Sequence, residues 1–369
     1  MAFDKNFKPE NYEKRILITG GAGFIGSEVV RYMVKKYPQY YIVNCDLLTY
    51  AGNLENLKEV EDEPNYTFVH ADITWEGFIA EVFEHYKISD VIHLAAESHV
   101  DRSIDGPGEF IKTNVIGTFT LLEVAREKWK DNYAAHRFHH VSTDEVFGSL
   151  PLWGATRFDE NTKYDPHSPY SASKAASDHF VKAYHDTYGM NVTISNCSNN
   201  YGPYQFPEKL VPLAINNLKN DKPIPIYGKG DNVRDWIFVT DHAKAIDTIF
   251  HKGKSGETYC VGGNHELSNV AIIHFIISAY NKVTNSKKDF ESSVTYVEDR
   301  KGHDKRYAIN SAKALRELGW SPKESFSAGM EKTVRWYLEN EEWLANVTSG
   351  EYQKYYKEHY EEVKKELVQ

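Results

Sequence analysis

Gly20, Gly23 and Gly26, in the run Gly20-Gly21-Ala22-Gly23-Phe24-Ile25-Gly26, set the tightest limit on how this chain can fold. A short apolar segment at 15–19 precedes them and reads as a strand, and residues 24–37 follow with the apolar spacing of a helix. Glycine at every third position of such a strand-turn-helix lets backbone amides and the helix N-terminus approach a pyrophosphate. Asp46 closes the next strand-like segment, 41–45, where its carboxylate can accept hydrogen bonds from ribose hydroxyls and repel a 2′-phosphate. No Arg lies between Asp46 and Asn56, so NAD is expected rather than NADP. No Gly-Lys-Ser or Gly-Lys-Thr follows the glycines, which disfavours a nucleoside triphosphate hydrolase.

The strand-helix alternation continues, with strand-like segments at 66–70, 90–94, 138–142 and 191–196 and helical stretches between most of them. This predicts an α/β protein of the Rossmann type, a doubly wound parallel sheet with ligands beyond the strands' carboxyl ends. Length supports a second lobe, since 369 residues exceed the roughly 100–200 typical of one domain. The texture changes after Asn200, where Tyr-Gly-Pro-Tyr and Lys-Pro-Ile-Pro-Ile-Tyr-Gly bracket a helical segment at 208–219. The expected division is an extension at 1–13, a cofactor lobe at 14–198, and a smaller substrate lobe at 199–234 and 263–369. Residues 235–262, a strand at 234–239 and a helix at 241–251 among them, return to the first lobe. Helices at 269–281 and 326–339 and a solvated tail helix over the last twenty residues complete the second.

Composition excludes several classes. Hydrophobic residues at 41% and a mean hydropathy of -0.57 fit a folded globular chain, and no apolar run approaches the roughly 20 residues that span a bilayer. The charge of -10 comes without a basic stripe, against a nucleic-acid partner. Cys45, Cys197 and Cys260 are odd in number and far apart, which offers no disulfide framework and no metal motif. With a polar, mixed-charge start at 1–11, a cytoplasmic protein is expected.

Two runs carry chemistry. Thr143-Asp144-Glu145 ends the fifth strand segment, and Tyr170-Ser171-Ala172-Ser173-Lys174 opens the next helix. Tyr170 and Lys174, four apart, share a helix face, so an ammonium beneath the phenol favours its ionised form. The adjacent carboxylates add an acid to protonate a leaving hydroxyl and a base to remove a carbon-bound proton, the pair that an elimination needs. The small residues of Leu94-Ala95-Ala96-Glu97-Ser98 suit a backbone lying against a cofactor. His99 reads as structural.

With Thr143, Tyr170 and Lys174 in this order behind the glycine turn, the chain resembles an extended short-chain dehydrogenase. More closely, it resembles the nucleotide-sugar 4,6-dehydratases of the dTDP-glucose type. The resemblance runs from about Lys14 to the mid-350s. It rests on the motifs above and on Leu94 to Ser103, Thr143 to Gly148, Ser198-Asn-Asn-Tyr-Gly-Pro203, Phe206-Pro-Glu-Lys-Leu210, Asn232-Val-Arg-Asp-Trp236 and Asp299-Arg-Lys-Gly-His303. Epimerases of the superfamily usually lack the Asp-Glu pair.

The resemblance implies conversion of dTDP-glucose to its 4-keto-6-deoxy product, for deoxysugar supply such as rhamnose. Tyr170 would take the O4 proton with Lys174 and Thr143 in support, Glu145 the C5 proton, and Asp144 would protonate the C6 hydroxyl. NAD would contact Phe24, Ile25, Asp46, Leu47, Leu48, Thr49, Asp72, Ile73, Leu94, Ala95, Ala96, Glu97, Ser98, Thr113, Tyr170, Lys174 and Asn200. The sugar nucleotide would contact Ser98, Thr143, Asn199, Lys209, Leu210, Pro225, Ile226, Tyr227, Arg234, Asn269, Asp299, Arg300 and His303. A homodimer through helical segments at 109–128 and 169–187 is implied as well. Lys301, where Pro is common, and Phe147, where Tyr is usual, depart from the family pattern. Other readings are a 4,6-dehydratase or 4-epimerase for another nucleotide sugar, or a non-catalytic NAD-binding protein.

Overall fold

The computed structural model describes residues 7–299 and 302–349. Arg300 of the expected substrate set, Lys301 and the expected tail helix lie outside the described residues. Of the N-terminal extension, Phe7 packs on Tyr41 and Tyr86 at ring distances of 4.4 and 5.2 Å, so its described part docks on the first lobe through aromatic contacts.

The first half alternates as expected: β1 (Lys14–Thr19), α1 (Phe24–Lys36), β2 (Tyr40–Asp46), β3 (Tyr66–His70), α2 (Glu76–Tyr86) and β4 (Asp90–His93). Two short helices, α3 (Val100–Asp105) and α4 (Pro107–Phe110), lead through a π-helical stretch at Ile111–Gly117 into α5 (Thr118–Trp129). Then come β5 (Arg137–Thr143), α6 (Pro169–Tyr188) and β6 (Val192–Cys197). The later elements are β7 (Asn199–Tyr201), α7 (Leu210–Lys219), β8 (Ile224–Tyr227), β9 (Val233–Phe238), α8 (Val239–Lys252), β10 (Thr258–Val261) and β11 (Glu266–Ser268). The chain continues with α9 (Asn269–Thr284), α10 (Phe290–Ser293), β12 (Val294–Val297), α11 (Ala312–Leu318), α12 (Phe326–Glu339) and α13 (Glu341–Val347).

Seven strands form one parallel sheet in the order β3-β2-β1-β4-β5-β6-β10. Because both faces are covered, the buried middle of β1, Ile16-Leu17-Ile18, is continuously apolar and its side chains alternate between two cores. Leu17 joins the cluster under α2, α5 and α6, whereas Ile16 and Ile18 join the one under α1 and α8. All three are fully buried, and each such side chain contributes about 1.5–3 kcal/mol. A third core gathers α7, α9, α12 and α13 around β8 and β9.

One placement differs from expectation. The strand at 234–239 exists as β9, but it pairs with β7 and β11 in a separate three-stranded sheet and does not rejoin the large one. The segments after it do return: α8 packs against α1, and β10 adds the seventh strand beside β6. Phe147 lies in a buried apolar cluster against Phe158 and Tyr164, so this departure from the family pattern sits outside the cavities described next.

Candidate active site

At the end of β5, Thr143 caps a short 3₁₀ turn, Asp144–Phe147, its hydroxyl accepting the Glu145 amide at 3.3 Å. Facing it is the start of α6, fixed by reciprocal bonds between Ser168 and Ser171 and by Pro169 in the first turn. These two termini bring Thr143, Asp144, Tyr170 and Lys174 together as buried groups, with Glu145 at the edge. Thr143 and Tyr170 line the same cavity wall.

Burial dominates their protonation. It pushes the Tyr170 phenol well above its ordinary value, the negative charge of Glu145 adds to this, and the nearby Thr143 side chain only partly offsets it. Burial also pushes Lys174 down, and its ammonium donates to the Val141 carbonyl at 3.0 Å. The expected ionisation of the phenol by Lys174 is therefore not the net result of the protein's own groups, since burial penalises both charges. Asp144 is raised well above the carboxylate range by burial first and then by Glu145 and Asp235, with Arg234 opposing. Its Oδ2 is buried without a hydrogen-bond partner, and its Oδ1 meets the Thr143 hydroxyl only at 3.4 Å. Such a setting favours the protonated form of the acid.

A cavity of about 330 Å³ runs from these residues along the carboxyl ends of the large sheet. Its wall includes Gly20, Gly23, Phe24, Ile25 and Gly26 of the turn; Asp46, Leu47 and Thr49 after β2; Asp72 and Ile73 after β3; and Leu94, Ala95, Ala96, Glu97 and Ser98 after β4. Thr113, Thr143, Tyr170, Lys174 and Asn200 complete the expected set. Leu48 is the exception: at φ 56° it turns from the cavity and packs on the core beneath α1. Asp46 is held by the amides of Ala22 and Leu48 at 2.9 and 2.8 Å.

The glycine turn fits a dinucleotide. A Cβ on Gly26 would stand 2.0 Å from the Gly20 carbonyl oxygen, and one on Gly20 would stand 2.6 Å from the Ala95 nitrogen. Gly23, the α1 N-cap, has no side chain competing for the helix amides.

A second cavity of about 190 Å³ adjoins the first and shares Ser98, Glu145, Asn199, Glu208 and Lys209 with it. Leu210, Pro225, Ile226, Tyr227, Arg234, Asn269 and His303 line it. Asp299 stands one step back, bonded to His303 Nδ1 at 2.7 Å. Arg234 is buried, donates to the carbonyls of Val233 and Asp304 at 2.8 and 3.0 Å, and lies 4.0 Å from the Tyr307 ring. Sequence reasoning missed Tyr50, Gln205, Glu208, Trp236 and Tyr307, which line one or both cavities. Glu208 stood in view beside Lys209, but Tyr307 carries no local signal.

The chain matches the model of the family described as GDP-mannose 4,6 dehydratase over residues 17–333. It is 52% identical to the dTDP-glucose 4,6-dehydratase of Salmonella typhimurium over 358 residues, covering 94% of this chain and 99% of that protein. It belongs to the nucleotide-sugar 4,6-dehydratases of the dTDP-glucose type. Among solved structures, the Bacillus anthracis dTDP-glucose 4,6-dehydratase in complex with NAD matches with a TM-score of 0.81 and 46% identity, covering 90% of this chain and 99% of that one. The Streptomyces venezuelae enzyme, solved with NAD and a second ligand, gives 0.83 and 44% with the same coverage. The Thermotoga maritima UDP-glucose 4-epimerase shares the architecture at 28% identity and a TM-score of 0.78, covering 88% of this chain and 99% of that one. Those identities separate the dehydratases from the epimerase.

Proposed function

We propose that the chain dehydrates dTDP-glucose to dTDP-4-keto-6-deoxyglucose, with NAD bound along the glycine turn and the sugar nucleotide in the second cavity. The observation that carries this is the seam between the cavities, where a buried Asp144, its protonated form favoured by burial, sits next to Glu145 and across from Tyr170. Bound NAD supplies the hydride acceptor for C4 and the hydride donor for C6. Tyr170 would take the O4 proton as the phenolate, an ionisation that its burial opposes and that the Lys174 ammonium and the positive nicotinamide ring of bound NAD would favour. The C4 carbonyl acidifies C5, whose proton passes to Glu145, and Asp144 gives its proton to the C6 hydroxyl, which leaves as water. Hydride return to C6 offsets the oxidation at C4, Glu145 returns a proton to C5, and the O4 proton taken up at Tyr170 balances the one Asp144 gives up, so the sum is the loss of one water. Arg234 and Lys209 are the cations suited to the diphosphate.

On this reading the seven-stranded lobe holds the cofactor and the C-terminal lobe the nucleotide sugar, for deoxysugar synthesis in the cytoplasm. Three free, buried cysteines suit a reducing compartment. No helix of the described residues is long and apolar enough to cross a membrane. A homodimer through the α5 and α6 faces is part of the proposal, supported by the exposed Ile111, Ile116, Phe119, Phe180 and Tyr188 there. A monomeric mass in solution would refute that part.

The function is tested by incubating the purified protein with dTDP-glucose in deuterated water, followed by mass spectrometry and NMR. Loss of one water with deuterium at C5 is expected. Inversion at C4 without water loss would establish an epimerase, and unchanged substrate with NAD bound would overturn the assignment.

A further inference from the structure

Behind Lys174 the structure holds a polar cluster of which Ser142 alone reaches the first cavity and the rest lines neither. Asp178 follows Lys174 by one helical turn on α6, so Tyr170, Lys174 and Asp178 form one stripe at spacings of four. Asp178 is 2% exposed, and its Oδ2 accepts from Ser142 Oγ at 2.8 Å, Tyr164 OH at 2.9 Å and Asn196 Nδ2 at 3.2 Å. Its Oδ1 faces His140 Nε2 at 3.1 Å, and the same nitrogen lies 3.4 Å from Lys174 Nζ.

One ring nitrogen cannot both donate to Asp178 and accept from Lys174. Asp178 Oδ1 and His140 Nδ1 are both buried without a hydrogen-bond partner, whereas Nε2 lies within hydrogen-bond reach of Lys174 Nζ. Burial holds His140 down to about 4, so it adds no charge beside Asp178.

The titratable groups around Lys174 come from every packed element. They are Tyr170 and Asp178 on α6, His140 on β5, His93 on β4 and Cys197 on β6, with Tyr164 from the preceding loop. Burial pushes His140 down to about 4 and His93 well down, while it pushes Cys197 up to about 12 and both tyrosines up, so all of these are neutral near pH 7. Asp178 alone is held down, because His140, Lys174 and Ser142 outweigh its burial. It is the one charge of opposite sign within this buried group.

We propose that Asp178 is a positioning residue for the reaction: its buried carboxylate, oriented by Ser142, Tyr164 and Asn196, keeps Lys174 an ammonium beside Tyr170. The inference rests on the function proposed above. Without that charge Lys174 loses its proton at lower pH, so activity falls away earlier on the alkaline side.

The test measures kcat and KM for dTDP-glucose between pH 6 and 10 on the NAD-loaded enzyme, its Asp178→Asn variant and its Tyr164→Phe variant. Asp178→Asn should move the alkaline limb of kcat down by about one pH unit or more, a fall of about tenfold on that limb, with KM within about twofold. Tyr164→Phe removes one donor but no charge and should keep the wild-type limb, which separates charge from packing. An unmoved limb in Asp178→Asn, or the same shift in both variants, would overturn the proposal. Failure of the unaltered enzyme to dehydrate dTDP-glucose would instead overturn the functional reading. Should Asp178→Asn not fold, ¹⁵N NMR of the lysine amines in the unaltered protein, with Lys174 identified by its loss in Lys174→Arg, decides. An ammonium retained above pH 9 supports the proposal, and one lost below pH 8 refutes it.

Discussion

The two adjoining cavities are built by opposite routes. The first is walled mainly by strand ends of one parallel sheet, and most of its wall residues lie within a few positions of β1, β2, β3, β4, β5 or β6. The second draws on α3, β7, α7, β8, β9, α9 and the 302–307 segment, whose strands belong to two small separate sheets. Crossover geometry dictates the first, whereas only the packing of distant segments dictates the second. Backbone changes should therefore break the first cavity, and side-chain changes should grade the second.

The largest effect is expected where they meet. Tyr170→Phe should lower kcat by about 10²- to 10⁴-fold, the usual weight of one acid-base group, while KM changes by no more than a few-fold. Steady-state kinetics with NAD content measured in parallel checks this. A comparable loss traced to missing NAD would place Tyr170 in the cofactor half alone.

Gly26→Ala comes next and probes the dictated half. The added Cβ would have to stand 2.0 Å from a backbone oxygen, so the turn must open, and purified protein should carry little NAD and show correspondingly little activity. NAD retained at the wild-type level would mean that the turn is not the cofactor's anchor. On the graded side, Arg234→Lys keeps the charge but loses the planar fork. It should raise KM by about tenfold, one charged hydrogen bond's worth, with kcat and NAD content little changed. Equal damage from both variants would erase the contrast between the halves.

The same contrast explains what could be read in advance. The first six strands were visible because each is a compact apolar run, and the glycine turn with Asp46 fixed the cofactor side from local chemistry. The helix over 326–339 is Phe326–Glu339, with Ser325 as its cap. The sheet joined by β9 was not visible, since a strand's own residues do not encode its partners. The three- and four-residue strands β7, β8, β10, β11 and β12 are too short to show alternation. On the substrate side, Trp236 and Tyr307 reach the second cavity only through tertiary packing. Nor did the apolar cluster beneath Leu48 leave any mark in the run after Asp46.

The smallest expected effect concerns stability, and it sets the seam against the rest of the fold. Asp144 has a folded pKa raised above its unfolded value near 3.9, by burial, Glu145 and Asp235. Its protonated form favours the folded state, so that contribution is complete below the unfolded pKa. It is lost progressively as pH rises toward the folded value. Asp144→Asn removes the titration while keeping a side chain of similar shape. The variant should dehydrate no substrate, yet its melting temperature at saturating NAD should exceed the wild type's by a few degrees at pH 8. The gap should narrow toward pH 5, because the other buried groups titrate alike in both proteins and cancel. Thermal unfolding at the two pH values measures it. A gap that stays constant would show that Asp144 is not held as a buried acid, and the division of labour with Glu145 would then have to be reversed.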